Sequence, residues 1–301
     1  MDIFSLQMND GQTLKGRHWQ AENETAVLQI VHGASEYSLR YKTFAEWLVK
    51  RGITVYALDN RGHGLNQSPD TTKVYIKRGD GKKLASDVVR LGFHIQREHP
   101  TKPIILLGHS MGSFIARAAA GLDNPYAKYI FSGSGFHDPV VASAGKILVK
   151  GIRLIKGNRG ASRILDDMTF NNLRKDMRKK GLIKDDHEWL TTDVVQGDLN
   201  RDDQVLGQKF SIGAYHALFD VIQQAHSIDT YTNTTQPILF ITGLQDPVSQ
   251  YGRTIAQLAR RYRKYGKAEV TEKYYPGMRH EVLNEKERET VFQDVLDFIL
   301  V

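Results

Sequence analysis

The sequence predicts an α/β fold, with a mostly parallel central sheet, helices on both faces and an inserted helical cap. Short apolar runs alternate along the chain with segments whose apolar residues recur every three to four positions. Continuous apolar runs of this length are typical of strands buried on both faces of a parallel sheet. Strands that alternate with helices indicate an open sheet covered on both sides.

The predicted strands begin with a hairpin and continue with strands of the parallel sheet. An Asp-Gly pair between two strand-like segments favours a hairpin turn, and here it is Asp10-Gly11. The predicted strands are residues 3–7, 13–19, 27–31, 54–58, 104–107, 129–132, 238–242 and 269–275.

Three predicted helices each carry apolar residues on one face. These residues are Leu84, Val88, Leu91 and Ile95 in the first, Ile255, Leu258, Ala259 and Tyr262 in the second, and Phe292, Val295, Leu296 and Ile299 in the last. Gly266 is well placed to follow the end of the second helix, because glycine tolerates the left-handed backbone found there. Asn284 followed by Glu287 resembles a capping box before the last helix.

The strand pattern breaks in the middle of the chain and resumes at Ile238. Between about residues 136 and 225 the sequence shows helical and loop segments rich in lysine, arginine and aspartate. We therefore predict a core whose first part is residues 1–135, a helical cap insertion at residues 136–225, and a second part of the core at residues 226–301. The cap is expected to lie over the carboxyl ends of the strands.

Composition narrows the classes of function. The 301 residues include no cysteine, which excludes disulfides, thiolate metal sites and a cysteine nucleophile. The net charge is +7, but no nucleic-acid motif accompanies the basic residues, so no nucleic-acid partner is predicted. The chain starts without a signal-like segment and has no apolar run of membrane-spanning length, which favours a cytoplasmic protein. Oligomeric state is left open.

Residues 108–112, Gly-His-Ser-Met-Gly, form the motif of a nucleophile elbow. They follow the predicted strand 104–107 and precede a helical pattern at residues 113–120, which is the strand, sharp turn and helix that this motif requires. The turn would strain the backbone of Ser110 and hold its hydroxyl above the sheet edge. We therefore predict that Ser110 is a catalytic nucleophile.

A serine hydroxyl needs a base, and the base needs an orienting carboxylate. Asp246 follows the predicted strand 238–242, and His280 follows the strand 269–275, so both are expected at the sheet edge that holds Ser110. We predict that His280 is the general base and then the acid, and that Asp246 fixes its tautomer. Asp220 is a more distant alternative to Asp246.

An oxyanion hole is the second requirement of this chemistry. One backbone N–H should come from Met111, directly after the nucleophile, and the other from the loop after the first central strand. Ala34 is the candidate in that loop, where Gly33 would let the backbone turn inward. The predicted chemistry needs no cofactor, and no motif for a metal is present in the sequence.

Four stretches resemble the α/β-hydrolase superfamily, and more narrowly its monoacylglycerol lipase and lysophospholipase-like serine hydrolases, which are also filed with S33 serine aminopeptidases. Residues 32–38 are similar to the family pattern H-G-x-G-E-H-S, residues 59–64 to D-x-R-G-H-G, residues 108–112 to G-H-S-M-G, and residues 280–285 to H-E-x-x-N-E. The resemblance implies an α/β-hydrolase fold, the triad Ser110, Asp246 and His280, and Ala34 with Met111 as oxyanion donors.

The chain departs from the family pattern at three positions. Ser35 stands where glycine is usual, Tyr37 where histidine is usual, and Asn66 where serine often follows the R-G-H-G turn. Ser110 disfavours an epoxide hydrolase or dehalogenase, which would carry aspartate at that position.

The predicted function is hydrolysis of carboxylic esters, with monoacylglycerols, lysophospholipids or related acyl esters as substrates. One alternative is a peptidase or amidase on the same triad, for which a cluster among Asp166-Asp167, Asp185-Asp186 and Asp202-Asp203 would bind an amino terminus. Another alternative, of a different class, is a non-catalytic ligand-binding protein of the same fold.

A basic and apolar segment at residues 146–155 leaves two interpretations open. Lys146, Lys150 and Arg153 share one helical face, and the other faces are apolar. Either the helix packs on the core, or it makes transient contact with a membrane surface and admits lipid esters.

Overall fold

The computed structural model describes the backbone of residues 1–301 and all side chains except those of Pro139, Asn200 and Asp202. Its strands form one sheet in the order β1-β2-β4-β3-β5-β6-β7-β8. The strands are β1 (Asp2–Gln7), β2 (Thr13–Trp19), β3 (Ala26–Val31), β4 (Ile53–Leu58), β5 (Ile104–His109), β6 (Lys128–Ser132), β7 (Ile238–Gly243) and β8 (Val270–Tyr275). Strands β1, β2 and β4 pair antiparallel, and the remaining pairs are parallel, which confirms the predicted fold class.

Helices cover both faces of the sheet. They are α1 (Lys42–Val49), α2 (Leu84–Glu98), α3 (Met111–Ala120), α4 (Pro139–Lys156), α5 (Arg163–Asp166), α6 (Asn172–Lys179), α7 (Val194–Asp202), α8 (Ile212–Ala225), α9 (Ile228–Asn233), α10 (Arg253–Arg261) and α11 (Arg288–Leu300). Apolar residues of α1 and α11 pack on one face, and those of α2, α3, α8 and α10 pack on the other. Every residue of β3, β4, β5 and β7 is buried, as expected for strands covered on both sides.

The segment between β6 and β7 is built from helices and loops. Helices α4 to α8 fall within residues 136–225, which we call the cap segment. Along the described backbone, the strand-type pairing recorded for this segment is one isolated bridge between Phe210 and Val74. The division of the chain at residues 135 and 225 remains a prediction.

Arg117 on α3 joins the two ends of the cap segment. Its guanidinium is fully buried and donates to the carbonyl oxygens of Gly135 at 3.2 Å and Ala225 at 2.9 Å. The hydroxyl oxygens of Tyr262 and Tyr231 accept further hydrogen bonds from it, at 3.2 and 3.3 Å. Helix α3 begins directly after Ser110. Arg117 therefore holds the base of the cap segment against the helix that follows the turn at Ser110.

Helix α4 presents apolar residues in two opposite directions. Ala142 and Val149 are buried among the core residues, whereas Ile147, Leu154 and Ile155 are 70%, 89% and 86% exposed. One face of the helix therefore packs on the core, another is open to solvent, and contact with a membrane surface remains a prediction. Within the described part of the chain, no helix has the length and apolar character to cross a bilayer.

Two predicted helix ends differ from the structure. After α10 the chain continues as a π-helical turn through Gly266, and the left-handed residue is Lys267, with φ of 53°. Gly266 is instead required by close packing, because a Cβ there would lie 2.2 Å from the carbonyl oxygen of Thr234. Asn284 forms no cap, since it lies in a 3₁₀ turn and donates to the Glu281 carboxylate at 3.0 Å.

Replacement of Arg117 by methionine keeps much of the side-chain volume and removes the donors. We expect Arg117→Met to lower the free energy of unfolding by about 2–4 kcal/mol, because buried carbonyl groups lose their partners. Urea denaturation measures this change. Arg51→Met is the matched control, since Arg51 is exposed and bonds only within its own helix end. Equal stability of the two variants would contradict the role given to Arg117.

Candidate active site

The turn at Ser110 has the geometry predicted for a nucleophile elbow. Ser110 lies between β5 and α3 with φ of 52° and ψ of −120°, a left-handed backbone that is strained for a residue other than glycine. Its N–H donates to the carbonyl oxygen of Ser132 at 2.9 Å, which holds the turn against β6. A Cβ at residue 112 would lie 2.1 Å from the carbonyl oxygen of Val31, so only glycine lets α3 approach β3 this closely.

The structure brings Ser110, His280 and Asp246 together in one chain of hydrogen bonds. Ser110 Oγ lies 2.8 Å from His280 Nε2, and His280 Nδ1 lies 2.9 Å from Asp246 Oδ1. Asp246 is in the loop after β7 and His280 in the loop after β8, at the carboxyl edge of the sheet. Both side chains are buried, whereas Ser110 remains partly accessible. This arrangement allows a proton to pass from the serine hydroxyl to the imidazole.

Asp246 controls the protonation of His280. Burial disfavours the imidazolium, but the charge of Asp246, its hydrogen bond, and the charges of Glu281 and Glu36 together outweigh burial, so the pKa of His280 lies above its ordinary value. Asp246 Oδ1 also accepts the N–H of Val248 at 2.9 Å, which fixes the carboxylate in its turn. The site therefore stabilises the imidazolium that forms when a neutral His280 accepts a proton from the serine.

The loop after β3 lies directly against Ser110. A Cβ at residue 33 would be 3.0 Å from the Cβ of Ser110, so Gly33 permits this contact. Among the described groups, the backbone N–H of Ala34 and that of Met111 have no recorded acceptor. Two N–H groups without an acceptor, one directly after Ser110 in the chain and one directly after Gly33, fit the chemistry of an oxyanion hole.

Buried charges behind this loop were missed by sequence reasoning. The carboxylate of Glu36 accepts the N–H of Gly33 and the hydroxyl of Tyr41, the latter at 2.9 Å. Arg40 pairs with Glu281 at 2.6 Å, next to His280. Burial, with the charge of Glu281 adding to it, raises the pKa of Glu36 to about 7. The signal was in the motifs themselves, since Glu281 directly follows His280 and Glu36 lies two residues after Ala34.

Two departures from the family pattern connect the same loop to the cap segment. Ser35 adopts a left-handed φ of 58°, which explains why glycine is usual there. The Ser35 hydroxyl donates to the carbonyl oxygen of Gln208 at 2.6 Å, and the Ser35 carbonyl accepts the N–H of Gly207 at 2.8 Å. The Tyr37 hydroxyl donates to Asp203 at 2.7 Å. The loop that carries Ala34 is thus tied to the segment before α8.

A cavity of about 590 Å³ lies between this loop and the cap segment. Ala34 and Trp189 belong to its wall, and neither Ser110 nor His280 is among the described lining residues. Trp189 connects this wall to His280, because its ring stacks on the His280 imidazole at 5.0 Å between centroids. Sequence reasoning did not identify Trp189, since its position depends on a contact between segments about ninety residues apart.

The acidic pairs considered for an amino-terminal site are engaged with other groups. Asp166 accepts the hydroxyl of Tyr215, and Asp186 pairs with Arg178, while the Asp185 carboxylate accepts the N–H of His187. The side chain of Asp202 lies outside the described residues. The described cavity wall carries equal numbers of carboxylates and of arginine or lysine side chains. The carboxylates are Glu36, Asp166, Asp186 and Glu281, and the cations are Arg163, Arg174, Arg201 and Lys209.

Asp220 does not reach the triad. It pairs with Lys146 of α4 at 2.5 Å and with His216 at 3.1 Å, both within the cap segment. Its role is therefore to join α8 to α4, and Asp246 is the carboxylate that contacts His280.

Comparison with known proteins places these features in a family. The family model described as serine aminopeptidase, S33 (Hydrolase_4) matches residues 22–287. The monoacylglycerol lipase of Mycolicibacterium smegmatis is 29% identical over 91% of this chain and 88% of its own length. The phospholipase YtpA of Bacillus subtilis is 26% identical over 91% of this chain and 95% of its own length.

The fold is also that of solved hydrolases. The structure of a thermostable carboxyl esterase from Bacillus coagulans superposes with a TM-score of 0.86, at 24% identity, over 99% of this chain and 97% of that one. The sheet order, the elbow at Ser110 and the extent of the family match lead to one conclusion. The chain belongs to the S33 serine aminopeptidase family of α/β-hydrolases.

Proposed function

We propose that this ester hydrolase works through Ser110 as nucleophile, His280 as base and acid, and Asp246 as the group that orients the imidazole. The single observation that supports the assignment is the continuous hydrogen-bond chain from Ser110 Oγ through His280 to Asp246, at 2.8 and 2.9 Å. Relatives named as a monoacylglycerol lipase and a phospholipase support ester cleavage over the peptidase and the binding protein.

In the first half of the proposed reaction, Ser110 Oγ attacks the ester carbonyl carbon while its proton moves to His280 Nε2. The negative oxygen of the tetrahedral intermediate accepts hydrogen bonds from the N–H groups of Ala34 and Met111. The bond from carbon to the alcohol oxygen then breaks, and that oxygen takes the proton from His280. The products at this stage are the free alcohol and an acyl-enzyme at Ser110.

In the second half, water replaces the alcohol. His280 Nε2 takes a proton from water, and the resulting oxygen attacks the acyl carbon of the acyl-enzyme. The same two N–H groups stabilise the second tetrahedral intermediate. When the bond to Ser110 Oγ breaks, His280 returns the proton to the serine, and the carboxylic acid leaves. Asp246 keeps its charge throughout and stabilises the imidazolium formed in each half.

The proposed substrate is an ester with one acyl chain and a polar alcohol, such as a monoacylglycerol or a lysophospholipid. The cavity wall combines apolar side chains, including Phe170 and Leu206, with the charged groups named above. A site for a peptide amino terminus calls for an excess of carboxylates, whereas the described carboxylates of this wall are balanced by cations.

We also propose that the exposed face of α4 contacts a lipid surface transiently. Ile147, Leu154 and Ile155 form an apolar face, and the exposed Lys150 adds positive charge to the helix. An amphipathic helix of this kind lies in the interface plane of a bilayer and prefers anionic lipid. Because α4 belongs to the cap segment, this contact would bring the cavity close to lipid esters.

The first prediction from the proposed function concerns the nucleophile. Ser110→Ala is expected to lower kcat for p-nitrophenyl esters by at least about 10⁴-fold, because no acyl-enzyme can form. Esters from acetate to palmitate should be compared, since the chain-length optimum separates a small-ester esterase from a lipid-directed enzyme. Ser134→Ala is the matched control, because this buried hydroxyl has no recorded partner among the described groups. Retained activity in Ser110→Ala would contradict the assignment.

The second prediction concerns pH. The neutral imidazole is the base, so kcat/KM should fall as the pH drops through the pKa of His280, which lies above its ordinary value. Asp246→Asn removes the largest of the charges that raise this pKa, so the acidic limb of the pH profile should move to lower pH. The value of kcat should also fall by about 10⁴-fold.

Asp220→Asn is the control for this substitution, because it also neutralises a buried aspartate but acts within the cap segment. Its pH profile is expected to match that of the wild type. A shift in Asp220→Asn as large as in Asp246→Asn would show that the effect is not specific to the triad.

The third prediction concerns α4. Flotation with anionic vesicles of phosphatidylglycerol should carry the wild type upward, and the double variant Leu154→Gln with Ile155→Gln should remain at the bottom. Ile228→Gln is the control, since Ile228 is 55% exposed but lies on α9. Equal flotation of all three proteins would contradict the proposed contact, and so would a wild type that does not float with the vesicles.

A further inference from the structure

Trp189 of the cap segment covers the face of the His280 imidazole. The two rings are nearly parallel, at 16° between planes and 5.0 Å between centroids. Trp189 is itself half-buried and belongs to the cavity wall. His280 is only 1% exposed, so the indole helps to separate it from water.

The residues on either side of His280 hold Trp189 in place. The guanidinium of Arg279 donates to the carbonyl oxygens of Glu188 at 2.5 Å and Thr191 at 3.1 Å, on both sides of Trp189. The N–H of Glu281 donates to the carbonyl oxygen of Leu190 at 2.7 Å. The neighbours of His280 therefore fix the backbone on both sides of Trp189. The position of the indole over the imidazole depends on several hydrogen bonds.

Further bonds extend this attachment along the segment. Arg279 also donates to the carbonyl oxygen of Leu182 at 2.6 Å, and the hydroxyl of Thr191 donates to the carbonyl oxygen of Asn284 at 2.9 Å. The Glu285 carboxylate accepts the N–H of Thr192 at 2.9 Å. Trp189 thus lies in the middle of a stretch that is bonded to the His280 loop at both ends.

An indole face carries negative electrostatic potential, and a cation above it is attracted most strongly where water is absent. The imidazole becomes a cation each time it accepts a proton from Ser110 or from water. We propose that Trp189 is a positioning residue that acts through His280, by holding the ring toward Ser110 and stabilising its protonated form. This inference rests on the proposed function only in taking His280 as the base.

Other groups also act on this imidazole, and the test must separate Trp189 from them. Asp246 bonds Nδ1, His109 lies 4.9 Å away between ring centroids, and Glu281, Glu36 and Arg40 form the charged cluster behind the ring. Burial lowers the pKa of His109 to about 3, so the His109 imidazole is neutral at the pH values where His280 titrates. None of these groups is altered by substitution of Trp189.

Trp189→Leu is the informative variant, because leucine keeps an apolar cover and removes the aromatic face. The titration of His280, followed by proton NMR of its imidazole in the resting enzyme, should move to lower pH by about 0.5–1. With p-nitrophenyl esters, kcat should fall about 3- to 30-fold, and KM should change less. Trp189→Phe keeps a smaller aromatic face, so its titration midpoint and its kcat should both lie close to those of the wild type.

Trp47→Leu is the control for loss of an indole elsewhere. Trp47 on α1 lies over Arg51 at 3.5 Å and beside Phe292, and it has no recorded contact with the triad among the described residues. The pH profile and the NMR titration of this variant should match those of the wild type. Thermal denaturation of all three variants checks that each is folded at the temperature of the assay.

An unchanged or higher titration midpoint in Trp189→Leu would overturn the proposal, as would a higher KM with unchanged kcat, since Trp189 would then be a wall of the substrate site only. The NMR titration needs no turnover. An enzyme that titrates as expected but cleaves no ester would therefore contradict the proposed function and leave the role of Trp189 intact.

Discussion

The chemistry of the site depends on a carboxylate that has no access to water. Asp246 is fully buried, and its charge is offset by the imidazole of His280 and the N–H of Val248. In such a setting the electrostatic interaction is far stronger than at a surface, so the carboxylate determines both the orientation of the ring and its affinity for a proton. The strained turn at Ser110 then needs only to hold a hydroxyl beside Nε2.

Much of the core, and the meeting of Ser110, Asp246 and His280 at one edge of the sheet, could be predicted from the sequence, because both follow from local rules. Buried strands are continuous apolar runs, and the turn at Ser110 needs glycine nearby, so residues close in sequence carry the signal. Arg117 and Trp189 carry no such signal, because their roles depend on partners far away in the chain. In the sequence Arg117 looks like an ordinary helix residue. Only the structure shows that it donates to the carbonyl oxygens of Gly135 and Ala225.

The two helix ends that were predicted wrongly have a related cause. Gly266 was expected to supply a left-handed backbone, but tight packing against Thr234 is what requires glycine there. Asn284 and Glu287 had the spacing of a capping box, yet Asn284 donates instead to the carboxylate of Glu281, the residue after His280. In both cases a tertiary contact took precedence over the local preference of the sequence.

The bonds of Ser35 and Tyr37 to residues 203–208 have a consequence for how this chain can evolve or be redesigned. Ser35 holds a backbone conformation that suits glycine, and its bonds to Gly207 and Gln208 compensate for that strain. Exchange of residues 136–225 with the corresponding segment of a relative would break these bonds and leave Ser35 strained beside Ala34. This segment is therefore not interchangeable by itself, and a transplanted segment would have to bring residues 35 and 37 with it.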